Sequence, residues 1–239
     1  MAKKKVDRKK LLKEPDEFLT LSSRVIRWSR KNLQTVLWSA TAVALAAAAV
    51  LGVKAYFDWR EQKAAAELAP VMTAYIAMVE GQSQQPQSAK LAAELQRVTA
   101  AYGSTPAGLQ ARLALGDLRL SLGQYVQAAE VLHALTQEEG LSAELAPLAW
   151  HGLGQALEGS KNYAKAAEAY AQAISLAGPN MGRLFKLDRA RVLKAAGDGK
   201  AAAQIYRELL ATPAPPAVQE RARAALVAMG LEPPPAQEG

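Results

Sequence analysis

Cysteine is absent from the 239 residues, and histidine occurs only twice. The lack of cysteine excludes disulfide bonds and thiol catalysis, although it does not decide the cellular compartment. Aromatic residues make up only 6% of the chain, whereas half of all residues are hydrophobic and alanine is abundant. Runs of β-branched residues between turn residues, which mark strands, are scarce. Because alanine has the highest helix propensity and lets helices approach closely, the composition predicts an all-α protein.

Residues suited to catalysis or metal binding are also few. Neither His133 nor His151 has a second ligand-type residue at metal-binding spacing. The chain contains no Gly-x-Ser-x-Gly nucleophile motif and no carboxylate pair placed to act together. We therefore expect no enzymatic activity, no metal and no cofactor.

Most of the chain carries no excess of positive charge. The net charge is +7, but residues 1–32 hold eleven Lys/Arg against four Asp/Glu, and the other 207 residues hold 18 of each sign. A nucleic-acid-binding surface would be spread over a folded domain, so we expect no nucleic acid partner. A basic flank directly before an apolar run is the pattern of a membrane orientation signal.

The apolar run extends from Leu33 to Val53 and contains no charged residue in 21 positions. A helix of this length spans roughly 31 Å, close to the hydrocarbon thickness of a bilayer. Trp38 near one end, and the aromatic residues within 56–59 at the other, are positioned for the two membrane interfaces. The pattern predicts a transmembrane helix over residues 33–57.

Two other kinds of segment can contain an apolar run of this length. A buried helix of a globular protein would carry a polar stripe, which is absent here. A cleaved signal peptide has a shorter apolar region, of about 7–15 residues, but the small residues at 47–49 leave cleavage open. For an uncleaved anchor, the positive-inside rule places the N-terminus in the cytoplasm and the C-terminal part across the membrane. We expect a single-pass protein of a bacterial inner membrane with a periplasmic C-terminal part.

Residues 15–31 predict an amphipathic helix inside the basic segment. One face carries four apolar residues, namely Phe18, Leu21, Val25 and Trp28, and another carries Arg24, Arg27 and Lys31. Such a helix is suited to lie on the inner leaflet, or to dock on a membrane-embedded partner. The sequence does not separate these two alternatives.

A self-similar pattern recurs within residues 109–212 at intervals of 38 and 36 residues. Its matching positions are Gly116, Gly123, Tyr125, Ala128, Leu132 and Leu135, then Gly154, Tyr163, Ala166, Tyr170 and Ala173, then Ala190, Gly197, Ala202, Tyr206 and Leu209. Trp150 precedes Leu153-Gly154 in the middle unit, and Pro179 follows it. These residues resemble the tetratricopeptide repeat, a 34-residue helix–turn–helix unit, with the closest agreement over 147–180.

The resemblance implies a solenoid of helical hairpins, since a single hairpin cannot bury its apolar face and at least three must stack. The segments 64–80 and 88–102 predict a degenerate first hairpin, joined by a polar linker, and 217–229 predicts a C-terminal capping helix. The chain is therefore divided as follows: a basic cytoplasmic segment at 1–32, a transmembrane helix at 33–57, a repeat domain at 58–230 and a disordered tail at 231–239.

This order of parts is similar to the ancillary subunit family of the bacterial Sec translocon, whose members carry periplasmic tetratricopeptide-like repeats on an inner-membrane anchor. The resemblance implies a protein that sits beside the translocon channel and passes emerging proteins to periplasmic chaperones. Its partners would be translocon subunits, periplasmic chaperones or emerging substrates. The alternative is a repeat scaffold for another envelope assembly, such as cell division, outer-membrane biogenesis, or pilus or secretion machinery.

The inner groove of the solenoid is the candidate binding site. By the repeat register, the groove positions are Leu113, Asp117, Leu120, Leu148, His151, Gln155, Glu158, Leu184, Leu187, Arg191 and Lys194, with Asp188 beside them. The Lys-and-Asn clamp by which some repeat proteins hold acidic C-termini is absent. Five leucines with mixed charge suit an extended or helical apolar protein segment. Packing of the same leucines against the helix after the span, or against a second copy in a homo-oligomer, stays open.

Overall fold

The computed structural model describes residues 17–81 and 88–235, with side chains described from residue 22 onward. Ten helices and no strand occupy these residues. The helices are α1 (Glu17–Lys31), α2 (Leu33–Val79), α3 (Ser88–Tyr102), α4 (Pro106–Ser121), α5 (Tyr125–Thr136), α6 (Leu145–Gly159), α7 (Tyr163–Leu176), α8 (Pro179–Ala195), α9 (Gly199–Ala211) and α10 (Pro216–Val227). The predicted all-α fold is confirmed. The first half of the predicted basic segment (1–16), most of the polar linker (82–87) and the end of the predicted tail (236–239) lie outside the described residues.

The chain divides into two compact units, Met1–Asp58 and Trp59–Gly239, and the division falls inside α2. The first unit contains α1 and the beginning of α2. The most apolar 18-residue window of α2 has a mean hydropathy of 2.1, and none of it is buried. By length and composition, α2 is therefore able to cross a membrane. The helix continues without a turn to Val79, so the predicted span and the predicted helix at 64–80 belong to one helix.

The second unit is a row of antiparallel helical hairpins. The end of α2 packs on α3 and α4 through Ala64, Leu68 and Val71, which belong to one core cluster with Leu95 and Val98 of α3. The pairs α4–α5, α6–α7 and α8–α9 follow, and α10 packs at the end against α9 and α8. Because each hairpin buries its apolar side against its neighbours, the hydrophobic core runs along the whole row.

Helix ends show why the chain turns where it does. Thr105 is the N-cap of α4 and its hydroxyl accepts a hydrogen bond from Gly108 N at 3.1 Å, while Asp198 caps α9 in the same way. Three hairpin turns share one geometry: a residue with positive φ follows the first helix, at Gly123 (71°), Lys161 (61°) and Gly197 (93°). The next N–H then closes the helix end: Gln124 donates to Arg119 O, Asn162 to Leu157 O and Asp198 to Leu193 O.

Glycines in the first helices allow the hairpins to close tightly. A Cβ at Gly116 would lie 2.5 Å from the Leu132 side chain, and one at Gly154 would lie 2.7 Å from the Tyr170 ring. Leu132 also reaches the next hairpin, where a Cβ at Gly152 would lie 3.1 Å from its Cδ1. The large buried side chains Leu132 and Tyr170 thus fill the space that the glycines leave, which explains the repeated small–large pattern.

The segment after α10 contacts the last hairpin. Leu231 packs on the core cluster that α8, α9 and α10 form. Arg223 Nη1 donates to Pro234 O at 2.8 Å. The described beginning of the predicted tail, residues 231–235, therefore has side-chain and backbone contacts to the repeat unit.

Candidate functional site

The first helices of the hairpins, α4, α6 and α8, carry all eleven predicted groove residues. Leu148 and Leu184 are exposed, at 37% and 46% of their surface, and Gln155, Arg191 and Lys194 are exposed as well. Leu113, Asp117, Leu120, His151 and Glu158 are half-buried. These ten side chains all keep some accessible surface.

Leu187 was predicted to line the groove, but in the structure it is buried in the core. Only 3% of its surface is exposed, and it belongs to the core cluster that also contains Ala202, Tyr206 and Leu226. The capping helix α10 contributes to that cluster, so the final hairpin is covered where earlier hairpins are more open. Leu187 therefore stabilises the end of the solenoid and offers almost no surface to a ligand.

Five of the predicted residues meet in one pocket. The pocket has a volume of about 300 Å³ and lies between the end of α2, α4 and α6. Its lining residues are Tyr75, Asp117, Leu120, Leu148, His151, Gly152 and Gln155. The backbone of α6 approaches closely, because a Cβ added at Gly152 would lie 3.6 Å from Asp117 Oδ1. The pocket combines an acid, a phenol and an amide with two apolar leucines.

A polar network beside the pocket joins α6, α7 and α8. The Asp188 carboxylate lies 3.0 Å from His151 Nε2 and accepts a hydrogen bond from Arg191 Nη2 at 2.9 Å. Arg191 also forms an ion pair with Glu158, and the Tyr170 hydroxyl donates to Glu158 Oε2 at 3.0 Å. Glu158 and Asp188 therefore share one cation, Arg191, and each carboxylate also has a second polar contact, to Tyr170 and to His151 respectively.

Aromatic side chains fix the position of His151. Its ring stacks on Phe185 of α8 with centroids 4.2 Å apart and an angle of 17° between the planes. The centroid of the buried Tyr170 ring lies 5.3 Å from that of His151, with an angle of 50° between the planes. The contacts hold the imidazole between the pocket and the network.

Asp117 differs from the other acids of the groove. Among residues 17–81 and 88–235, no group forms a hydrogen bond or an ion pair with its carboxylate. Burial raises the pKa of Asp117 to about 6, and the nearby His151 opposes the rise. The pKa of Tyr75 is raised to about 12, chiefly by burial and then by the charge of Asp117. The carboxylate is thus partly desolvated without the partner that normally accompanies a desolvated charge.

Besides Leu187, three predicted residues take no part in the pocket or the network as the structure describes them. Leu113 packs against the core clusters of the first two complete hairpins, whereas Leu184 and Lys194 lie exposed on α8. The sequence did not predict two residues of the site: Tyr75, which lines the pocket, and Phe185, which stacks on His151. Tyr75 lies on a helix predicted only as part of a degenerate hairpin, and no sequence signal separates it from an ordinary core aromatic.

Metal chemistry has no visible centre in the part of the chain that the structure describes. No group of three or more His, Cys, Asp or Glu side chains there is arranged to hold an ion.

Comparisons with known proteins agree with this geometry. Residues 147–180, which include all of α7 and all but the first two residues of α6, match the tetratricopeptide repeat family. Two crystal structures of nearly identical tetratricopeptide-like repeats, described as a kinesin light chain of Podosopora anserina, are similar to this chain. Their TM-scores are 0.57 and 0.56, with 18% sequence identity, and in both cases 71% of this chain and 88% of the other are covered. No curated protein matches the sequence.

The fold is therefore that of a tetratricopeptide-like helical solenoid, because both the middle hairpin and the overall row of hairpins match that class. At 18% identity the structural likeness shows the fold alone. Such folds serve as scaffolds for protein–protein interaction, and nothing in the fold or the comparisons points to catalysis.

Proposed function

We propose that the protein is a membrane-anchored, non-enzymatic scaffold whose repeat domain binds other proteins on the periplasmic side of a bacterial inner membrane. The supporting observation is the pairing of two features in one chain. An apolar 18-residue window with no buried residue lies in α2, and the same helix ends in the core of a tetratricopeptide-like unit. A globular protein has no reason to expose such a window to water, because each exposed apolar side chain costs free energy.

The proposed arrangement follows the charge of the chain. Residues 1–32 carry all of the net positive charge and would stay in the cytoplasm, and residues 33–57 would span the bilayer. The electrically neutral part, with the repeat domain at 58–230 and the end of the chain, would lie in the periplasm. Exported domains follow the orientation that the basic flank sets.

The proposed partners are subunits of the Sec translocon, periplasmic chaperones or emerging substrates. Support comes from the order of the parts, which is similar to that of the ancillary translocon subunit family. The groove adds support because Leu148 and Leu184 are exposed on two helices that also carry the charged Glu158, Arg191 and Lys194. That surface suits a partly apolar, extended or helical protein segment. A homo-oligomer that covers the same leucines would be seen as self-adducts in crosslinking.

The absence of cysteine permits a direct test of the topology. Single cysteines are introduced at Ala2 and, separately, at the exposed Ala164 of α7, and a membrane-impermeant maleimide is added to spheroplasts. We expect labelling at position 164 in intact spheroplasts and labelling at position 2 only after lysis. Labelling of position 2 from outside, or release of the protein by alkaline carbonate, would contradict the proposal.

A further inference from the structure

The pocket between α2, α4 and α6 contains an acid, Asp117, that forms no hydrogen bond and no ion pair with any described residue. Glu158 is paired with Arg191, and Asp188 with both His151 and Arg191. Asp117 has no such partner among the described residues; burial raises its pKa, and His151, which also lines the pocket, opposes this rise only in part. Asp117 is therefore the groove acid whose carboxylate has neither a hydrogen bond nor an ion pair among the described residues, whereas Glu158 and Asp188 both pair with Arg191.

The rest of the pocket is suited to a long side chain that ends in a cation. Leu120 and Leu148 supply apolar contacts for an alkyl stem. Tyr75 and Gln155 add a hydroxyl oxygen and an amide oxygen, both able to accept hydrogen bonds. The volume of about 300 Å³ is at the lower end for pockets that hold drug-sized molecules, so the space fits a single side chain.

We propose that this pocket is the subsite in which the repeat domain takes the Lys or Arg side chain of a bound protein segment. The inference rests on the proposed scaffold function and specifies what the groove selects. A bound ammonium or guanidinium group supplies the missing partner of the Asp117 carboxylate in a partly desolvated setting, where a charge-assisted hydrogen bond is strong. A norleucine at the same place would leave the Asp117 carboxylate without a partner, and a glutamate would repel it. The pocket is therefore selective for a cationic side chain.

The experiment uses the full chain in nanodiscs of zwitterionic lipid, so that lipid charge does not bind the probes. Two dye-labelled peptides are compared by fluorescence anisotropy, acetyl-Leu-Ala-Lys-Ala-Leu-amide and its counterpart with norleucine at the centre. The variants are Asp117→Asn, which keeps the shape of the side chain, and the matched control Glu168→Gln, which removes an exposed carboxylate from α7. Circular dichroism confirms that both variants are folded. Spermidine is added as a competitor, because a free polyamine carries the same chemistry.

We expect the lysine peptide to bind at least tenfold more tightly than the norleucine peptide to the wild type and to Glu168→Gln. In Asp117→Asn the preference should disappear. Equal binding of the two peptides to the wild type, no binding of either, or a preference that survives in Asp117→Asn would overturn the inference. The inference would also be overturned if spermidine displaced the labelled peptide better than the unlabelled lysine peptide does. The site would then be one for free amines. If the lysine preference is not found, the proposed topology and partners are not thereby contradicted. They are tested by cysteine labelling and crosslinking, which do not involve Asp117.

Discussion

Replacing Asp117 with asparagine tests whether the ionised carboxylate lowers the free energy of unfolding. The carboxylate is half-buried in the pocket, and burial raises its pKa from the ordinary 3.8 to about 6. A difference of about 2 pKa units corresponds to roughly 3 kcal/mol of unfavourable free energy for the ionised form in the folded state. Because the asparagine amide keeps some desolvation cost of its own, we expect Asp117→Asn to raise the free energy of unfolding at pH 7 by about 1–3 kcal/mol.

The sign of the pH dependence follows from the direction of the shift. Well below pH 3.8, the ordinary pKa of this group, the carboxyl group is protonated in both the folded and the unfolded chain. As the pH rises towards 6, the unfolded chain releases this proton first, so the wild type loses stability over that interval. The loss is complete only well above pH 6, where the folded chain has released the proton as well. The stability difference between Asp117→Asn and the wild type should therefore be small at pH 4 and reach its full size by pH 7.

The measurement is guanidinium-induced unfolding of the full chain in detergent, followed by the fluorescence of Trp150 in α6. Trp28, Trp38 and Trp59 are replaced by phenylalanine in every variant, so that only the repeat domain is reported. Glu168→Gln serves as the control, with an expected change within about 0.5 kcal/mol at each pH, since its carboxylate is exposed. An Asp117→Asn variant that is no more stable than the wild type at pH 7, or equally more stable at pH 4, would refute this reasoning.

Three further predictions concern single positions in the hairpins, each checked by the same unfolding measurement. Lys161→Gly should stabilise the chain by about 0.5–1 kcal/mol, because Lys161 has a φ of 61° where the equivalent turns have glycine; no gain would mean that the turn is relaxed in solution. Gly154→Ala should destabilise by about 1–2 kcal/mol, because its Cβ would lie 2.7 Å from the buried Tyr170 ring. Gly178→Ala, with nothing within 4 Å, should change little, and equal effects of the two would contradict the packing. Leu187→Glu should prevent stable folding and Leu184→Glu should cost less than about 1 kcal/mol, because only the former would bury a charge.

The hairpins could be predicted from the sequence because their packing depends on side-chain size at a few recurring positions. Gly116 and Gly154 have to be small for Leu132 and Tyr170 to fit, and that requirement is visible as a repeated small–large pattern. The apolar run was equally visible, since it is continuous and uncharged. The turn at Lys161 was harder to predict from the sequence, because a lysine occupies the left-handed position where glycine is usually found.

The candidate site was predicted only in part, because contacts between distant segments decide which groove positions remain open. Leu113, His151 and Leu187 share one position of the repeat register, yet only Leu187 is buried in the cluster to which α10 contributes. Likewise, Tyr75 reaches the pocket from a helix 42 residues before Asp117 in the sequence. A repeat register contains no information about such end effects or about the first, degenerate hairpin.

In-cell photo-crosslinking from the groove tests the central claim, that the repeat domain of a membrane-anchored chain binds envelope proteins. A photoreactive phenylalanine analogue replaces Leu148 or Leu184, the two exposed groove leucines, and Glu168 on α7 serves as the comparison site. Adducts are identified by mass spectrometry. We expect translocon subunits and periplasmic folding factors or exported chains from the groove positions and not from position 168. Cytosolic proteins, self-adducts alone, or the same adducts from all three positions would contradict the claim, and a different envelope complex would exclude the translocon assignment.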